Sequence, residues 1–167
     1  MQKSTVKQEE MDVKKQDKAS DEGYSKFLKA TDPKFDPVGV ILRCHLLSEY
    51  HIDTLLTAML TRGDLIVSNS RFQFSDKLII MDALDVVPKE IVDSLKNLNK
   101  VRNDCSHVMD YVISEKDVDR IGSPFGLEYI KLKRKFLATN ALLRDTLMIL
   151  ISRFDGTVAG VIDSKNK

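Results

Sequence analysis

Apolar residues along the middle of the chain recur every three to four positions, which is the spacing of amphipathic helices. Asp36-Pro37 opens the first such run: Asp caps a helix well, and Pro suits its first position, where an N–H would be unpaired anyway. From 38 to 60 the apolar positions include Val40, Ile41, Cys44, Leu47, Ile52, Leu55, Leu56 and Met59. They predict one long helix with a wide buried face, ended by Gly63. Residues 64–74 read as a loop. A second helix is expected from an N-cap at Ser75 to about Leu84, burying Leu78, Ile79, Met81 and Leu84. A third starts at Pro88, with Ile91, Leu95, Leu98 and Val101 inside.

Ser114-Glu115-Lys116-Asp117 has the form of a capping box with Asp in place of Glu, and predicts a short helix to Gly122. Ser123-Pro124-Phe125-Gly126 reads as a turn. A single long helix is then expected from about Leu127 to Phe154, with Ile130, Phe136 or Leu137, Ala141, Leu147, Leu150, Ile151 and Phe154 facing the core. No segment alternates with period two. The expected fold is all-α: a small helical bundle of three long helices plus one or two short ones.

Three regions follow. Residues 1–22 are rich in Lys, Glu, Gln, Asp and Ser and too poor in apolar residues to offset their ordering entropy, so they read as a disordered charged arm. Tyr24, Phe27 and Leu28 suggest a short helical turn at the start of a domain spanning 23–156. Residues 157–167 are small and polar and read as a flexible tail.

Composition removes several function classes. Of 167 residues 43% are apolar, enough for one core without disulfides or metal. The 26 Lys and Arg nearly cancel the 25 Asp and Glu, for a net charge of +1, so no strongly basic nucleic-acid surface is indicated. Cys44 and Cys105 read as two reduced, buried thiols. His45, His51 and His107 are too scattered to complete a metal site with them. No metal or cofactor is expected. The start of the chain is charged, unlike a secretory signal, and no apolar run spans a bilayer, so a cytoplasmic protein without a membrane partner is expected. No helix-turn-helix with a basic recognition helix stands out, and sequence-specific DNA reading is not expected.

The candidate chemistry lies near the end of the third helix, in Arg102-Asn103-Asp104-Cys105-Ser106-His107. A histidine near neutral pKa can deprotonate the 2′-hydroxyl of RNA. A fixed arginine can stabilise the charge that builds on the phosphorus centre. Asn103 could orient the phosphate or the imidazole. The products would be a 2′,3′-cyclic phosphate and a 5′-hydroxyl. On an ideal helix the two side chains point about 140° apart. Either the helix ends between them, or a two-fold dimer brings two copies together. The competing reading is structural: Arg102 and Asn103 bond to carbonyls at neighbouring helix ends, and His107 caps or packs. His45 and Glu49, one turn apart, could line the same cleft, although with Tyr50 and His51 they also fit a partly exposed polar stripe. Lys131, Lys133 and Arg134 could touch phosphates, or form a solvated face.

The Arg102-Asn103 to His107 segment, at the end of an amphipathic helix in a small all-helical chain, resembles the HEPN superfamily. Its surroundings are similar to the mannitol operon repressor-like branch: Phe74-Ser75-Asp76-Lys77-Leu78 through Ala83-Leu84, Val87-Pro88 and the helix to His107, Ile113 to Ile121, then Pro124-Phe125-Gly126-Leu127. The likeness covers residues 36–130. It implies a homodimer. It implies either a regulator working through a protein partner, or a metal-independent endoribonuclease of the toxin or phage-defence kind. In that second case Arg102 and His107 are catalytic, Asn103 is their polar neighbour, RNA is the substrate, and an antitoxin is the protein partner.

Overall fold

The computed structural model describes residues 36–165. The charged arm and the Tyr24–Leu28 turn expected from the sequence lie outside the described residues. Among the described residues there are seven α-helices: α1 (Pro37–Met59), α2 (Gly63–Val67), α3 (Phe74–Ala83), α4 (Lys89–His107), α5 (Glu115–Gly122), α6 (Leu127–Lys135) and α7 (Thr139–Lys165). A single 3-10 turn, Ser123–Phe125, joins α5 to α6. No strand occurs among the described residues, and none of their helices is long and apolar enough to cross a membrane.

The long helices α1, α4 and α7 form the frame. Asp36 caps α1, its carboxylate accepting from the N–H groups of Val38 and Gly39 at 3.2 and 3.3 Å. α1 and α4 run antiparallel, since His45 meets Asn99 while Asp36 acts electrostatically on Cys105. α7 lies along α1 and also packs on α4, α5 and α6. Between them Ile41, Ile52, Leu55, Leu56, Leu95, Leu98, Leu143 and Phe154 are fully buried. Ser94 and Asn97 of α4 donate to the carbonyls of Ile121 and Arg120, which closes the C-terminal end of α5 onto the frame.

Several local expectations are corrected. The stretch 64–74 is not wholly a loop, because Gly63 opens α2 rather than merely ending α1. A Cβ at Gly63 would lie 2.2 Å from the carbonyl oxygen of Leu56, so only glycine lets the chain turn so tightly there. α3 starts at Phe74, not after Ser75: Asp76 reaches back to accept from the N–H of Gln73 at 2.9 Å. Its inner face is Phe74, Lys77, Leu78 and Met81, and Ile79 points to solvent.

The expected single last helix is two. Phe136 adopts an extended conformation after α6, and α7 begins at Thr139. Neither glycine nor proline marks this corner. The break rotates the phase, so Ile130 and Leu137 leave the core while Leu142 and Leu143 enter it. α7 then continues through the residues read as a tail, to Lys165, because Val158 still finds a buried seat. The expected capping box at Ser114 is present: its hydroxyl accepts from the Asp117 N–H at 3.3 Å, and Asp117 accepts from the Ser114 N–H at 2.9 Å.

Candidate functional site at the end of α4

α4 is unbroken from Lys89 to His107. The helix therefore does not end between Arg102 and His107. Within one chain the two side chains stand about 140° apart and about 7.5 Å apart along the axis.

The residues between them divide by role. Val101 is buried. The Arg102 guanidinium donates to the side-chain oxygen of its neighbour Asn103 at 3.2 Å. Asp104 is an acceptor for Arg120 of α5 at 3.3 Å, and so ties the motif to the bundle. Cys105 is half-buried, and burial raises its thiol pKa, helped by the charges of Asp117 and Asp104. Ser106 donates back to the Arg102 carbonyl at 3.0 Å. Asn103 and His107 are exposed. Among the described residues, Arg102 bonds to no carbonyl of a neighbouring helix, so the contacts expected of a purely capping pair are not the ones made.

His45 and Glu49 could line a cleft with Arg102 or, with Tyr50 and His51, form a partly exposed polar stripe; the stripe is corrected at both histidines, which are buried. His45 is buried, stacked on the Phe74 ring at 4.1 Å between centroids, and donates from Nε2 to Asn99 Oδ1 at 3.1 Å. Burial pushes its pKa down; Asn99 opposes this, and the charge of Arg102 adds to it. His51 is buried as well, 3.6 Å from Asp155 and edge-on to Phe154. Glu49 turns instead to Lys77.

Lys77 was not singled out by its sequence. Its ammonium is buried between Glu49 at 3.1 Å and Asp53 at 2.8 Å. Burial works against the charge, yet the hydrogen bonds to Asp53 and Glu49 outweigh it and the pKa rises. A signal was available: Lys77 shares the apolar stripe of α3 with Phe74, Leu78 and Met81. Asn99, the anchor of His45, stands three residues before Arg102 and was legible only as a polar position on α4.

The structure joins His45 to Asn99 across the α1–α4 seam, within electrostatic reach of Arg102, and pairs Glu49 with Lys77. It leaves His107 on a different face. The cations Lys131, Lys133 and Arg134 sit on α6, where Lys133 is held by Glu115 at 2.8 Å and Asp119 at 2.7 Å and is not free for a phosphate. Both thiols are free: Cys44 is buried, and Cys105 only half so.

Exposed apolar side chains lie on α1 and in the segment that follows α4. Leu42, Leu46 and Tyr50 form a stripe on α1 at intervals of four, and Leu46 is 64% exposed. Past His107 the chain exposes Val108, Met109 and Val112, with Met109 at 90%. Comparison with protein families, with curated proteins and with solved structures finds no match for this chain.

Proposed function

We propose that the chain is a homodimeric regulatory protein of the mannitol operon repressor-like kind. It acts through protein contacts rather than through a DNA-reading motif. The observation that carries this reading is the outward apolar set, Leu42, Leu46 and Tyr50 on α1 with Val108, Met109 and Val112 directly after the Arg102 to His107 segment of α4. Apolar groups collected around one polar cluster are typical of an interface core. The occupant is a second copy, because a two-fold axis beside α4 is what sets one copy's Arg102 near the other's His107. The test is light scattering on the full chain: wild type runs as a dimer, and Leu46→Glu with Met109→Glu gives a folded monomer. A wild type that stays monomeric at high concentration removes the reading.

The second reading is a metal-independent endoribonuclease of the same fold. It is favoured by the solvent-facing positions of Asn103 and His107, which the fold does not use as caps. In the paired arrangement His107 takes the 2′-hydroxyl proton, the oxygen attacks phosphorus, Arg102 holds the charge that builds, and the 5′-oxygen leaves. It ranks second because Asp104 and Asp110 stand exposed in the same segment, and RNA binding draws on an excess of cations.

A further inference from the structure

α6 presents two kinds of side chain to solvent. Leu127 and Ile130, three residues apart, share one face and are 75% and 46% exposed. Leu137, at the corner before α7, is fully in solvent. Interleaved with them are Lys131, Arg134 and Lys135, all exposed. Lys133 is the α6 cation paired with carboxylates, and among the described residues the other three have no such partner. Lys135 instead rests over the Phe136 ring, 5.3 Å from its centroid.

Beside this face runs a groove of ≈ 610 Å³, lined by Ser123, Gly126, Tyr129, Ile130 and Arg134 and by the Asp119–Lys133 pair, whose charges cancel and leave Arg134 as its unpaired charge. Gly126, at φ 56°, turns the chain into α6, and a Cβ there would meet nothing within 4 Å among the described residues, none of which roofs the groove at that point. The Tyr129 hydroxyl is fixed on Asp119 at 2.7 Å, which leaves its ring as a firm wall.

Three occupants have different requirements. A bilayer needs a continuous convex apolar face, and here the apolar residues flank a concavity on a helix about 13 Å long. A nucleic-acid strand needs cations joined to exposed stacking rings, whereas here Tyr129 is buried, Phe136 is half-buried and the exposed apolar groups are aliphatic. A peptide needs a pocket for an anchor and complementary charge around it, and both are present.

We propose that α6 and its corner bind a short acidic segment of a partner protein. One apolar side chain of the partner is seated in the groove beside Ile130, and its carboxylates lie on Lys131, Arg134 and Lys135. This surface uses none of the α4 residues and stands independently of their role.

The test is selection of a random 12-residue peptide display library on the full chain, with recovered peptides titrated by fluorescence anisotropy. The expected winners interleave Asp or Glu with Leu, Ile or Phe. They lose about tenfold or more in affinity for Arg134→Glu/Lys135→Glu, and likewise for Ile130→Asp. Lys100→Ala, at an exposed cation of α4 outside the surface, binds them unchanged. Ile130, Arg134 and Lys135 are exposed, and circular dichroism verifies that each variant is folded. Three results overturn the proposal: winners without acidic residues, winners that bind the charge-reversed variant equally well, or α6-dependent binding of phosphatidylserine vesicles or single-stranded RNA with no peptide recovered.

Discussion

His45 donates from Nε2 to Asn99 Oδ1 across 3.1 Å, which locks α1 to α4 one turn before Arg102. The ring is buried, with Phe74 on its face, and burial works against its charged form. The turn of α4 before Arg102 is therefore anchored, through Asn99, by a histidine fifty-four residues from that asparagine in sequence.

That histidine, with His51, makes stability depend on pH. Burial lowers both pKa values below the ordinary 6.5. The unfolded chain then binds more protons than the folded one between the folded values and 6.5, so stability is complete above that window and falls as pH drops through it. Each proton contributes at most about 1.4 kcal/mol per pH unit. Thermal melts from about pH 7.5 to about pH 5.5 are expected to show a falling Tm, and His45→Gln/His51→Gln to flatten the slope. Asp117 acts elsewhere: its capping contacts with Ser114 outweigh burial and hold its pKa below 3.8, so its contribution is lost only in stronger acid. A Tm constant down to about pH 5 excludes the neutral, buried histidines.

Lys77→Met is expected to destabilise the fold by about 2–4 kcal/mol, because Glu49 and Asp53 are left together without their cation. Both carboxylates keep some exposure, which holds the loss below that of a fully buried pair. Adding Glu49→Gln and Asp53→Asn to Lys77→Met is expected to restore part of the loss in urea melts. A further loss would show that the carboxylates have other work.

The long elements were legible because their signals are local. Asp36-Pro37 starts α1, Ser114 and Asp117 start α5, and apolar periodicity marks α1, α4 and most of α7. The corner at 136–138 was not legible, since tertiary packing of Phe136, Leu142 and Leu143 makes it, and no breaker residue is present. At the candidate site, the Arg102 to His107 segment and the polar residues of α1 could be read. The partners of those residues could not, because Asn99 and Lys77 reach them only through helix packing.

Two glycines are expected to resist even alanine. At Gly63 the added carbon meets backbone, the Leu56 carbonyl, which cannot move aside without unwinding the end of α1. At Gly122 it meets the Tyr129 ring at 2.2 Å, and that ring is buried and hydrogen-bonded. Gly63→Ala and Gly122→Ala should each cost about 1–3 kcal/mol or more, while Gly160→Ala, in open space on α7, should stabilise slightly. Equal melting temperatures for the three variants would contradict the close approaches.

The last prediction separates the two functional readings at Arg102 and His107. If the paired site cleaves RNA, wild type incubated with single-stranded RNA in chelator leaves 2′,3′-cyclic phosphate ends. Loss of the histidine removes proton transfer, worth about 10²–10⁴-fold. Loss of the arginine removes charge stabilisation worth about 10²–10³-fold. Arg102→Ala and His107→Ala should each abolish cleavage, and mixing the two inactive variants should restore part of it if the site is shared, because a mixed dimer holds one intact Arg102–His107 pair. Exposed His107 carries little packing, so His107→Ala should melt like wild type, whereas Arg102→Ala, beside the buried His45, should raise the pKa of that histidine by removing a nearby positive charge. NMR titration of the His45 ring reads that shift directly. If the chain is a regulator that works by contact, wild type leaves RNA intact and the same substitutions change dimer strength instead. Cleavage that survives His107→Ala sinks the catalytic assignment. A monomeric wild type that nevertheless cleaves sinks the shared cleft.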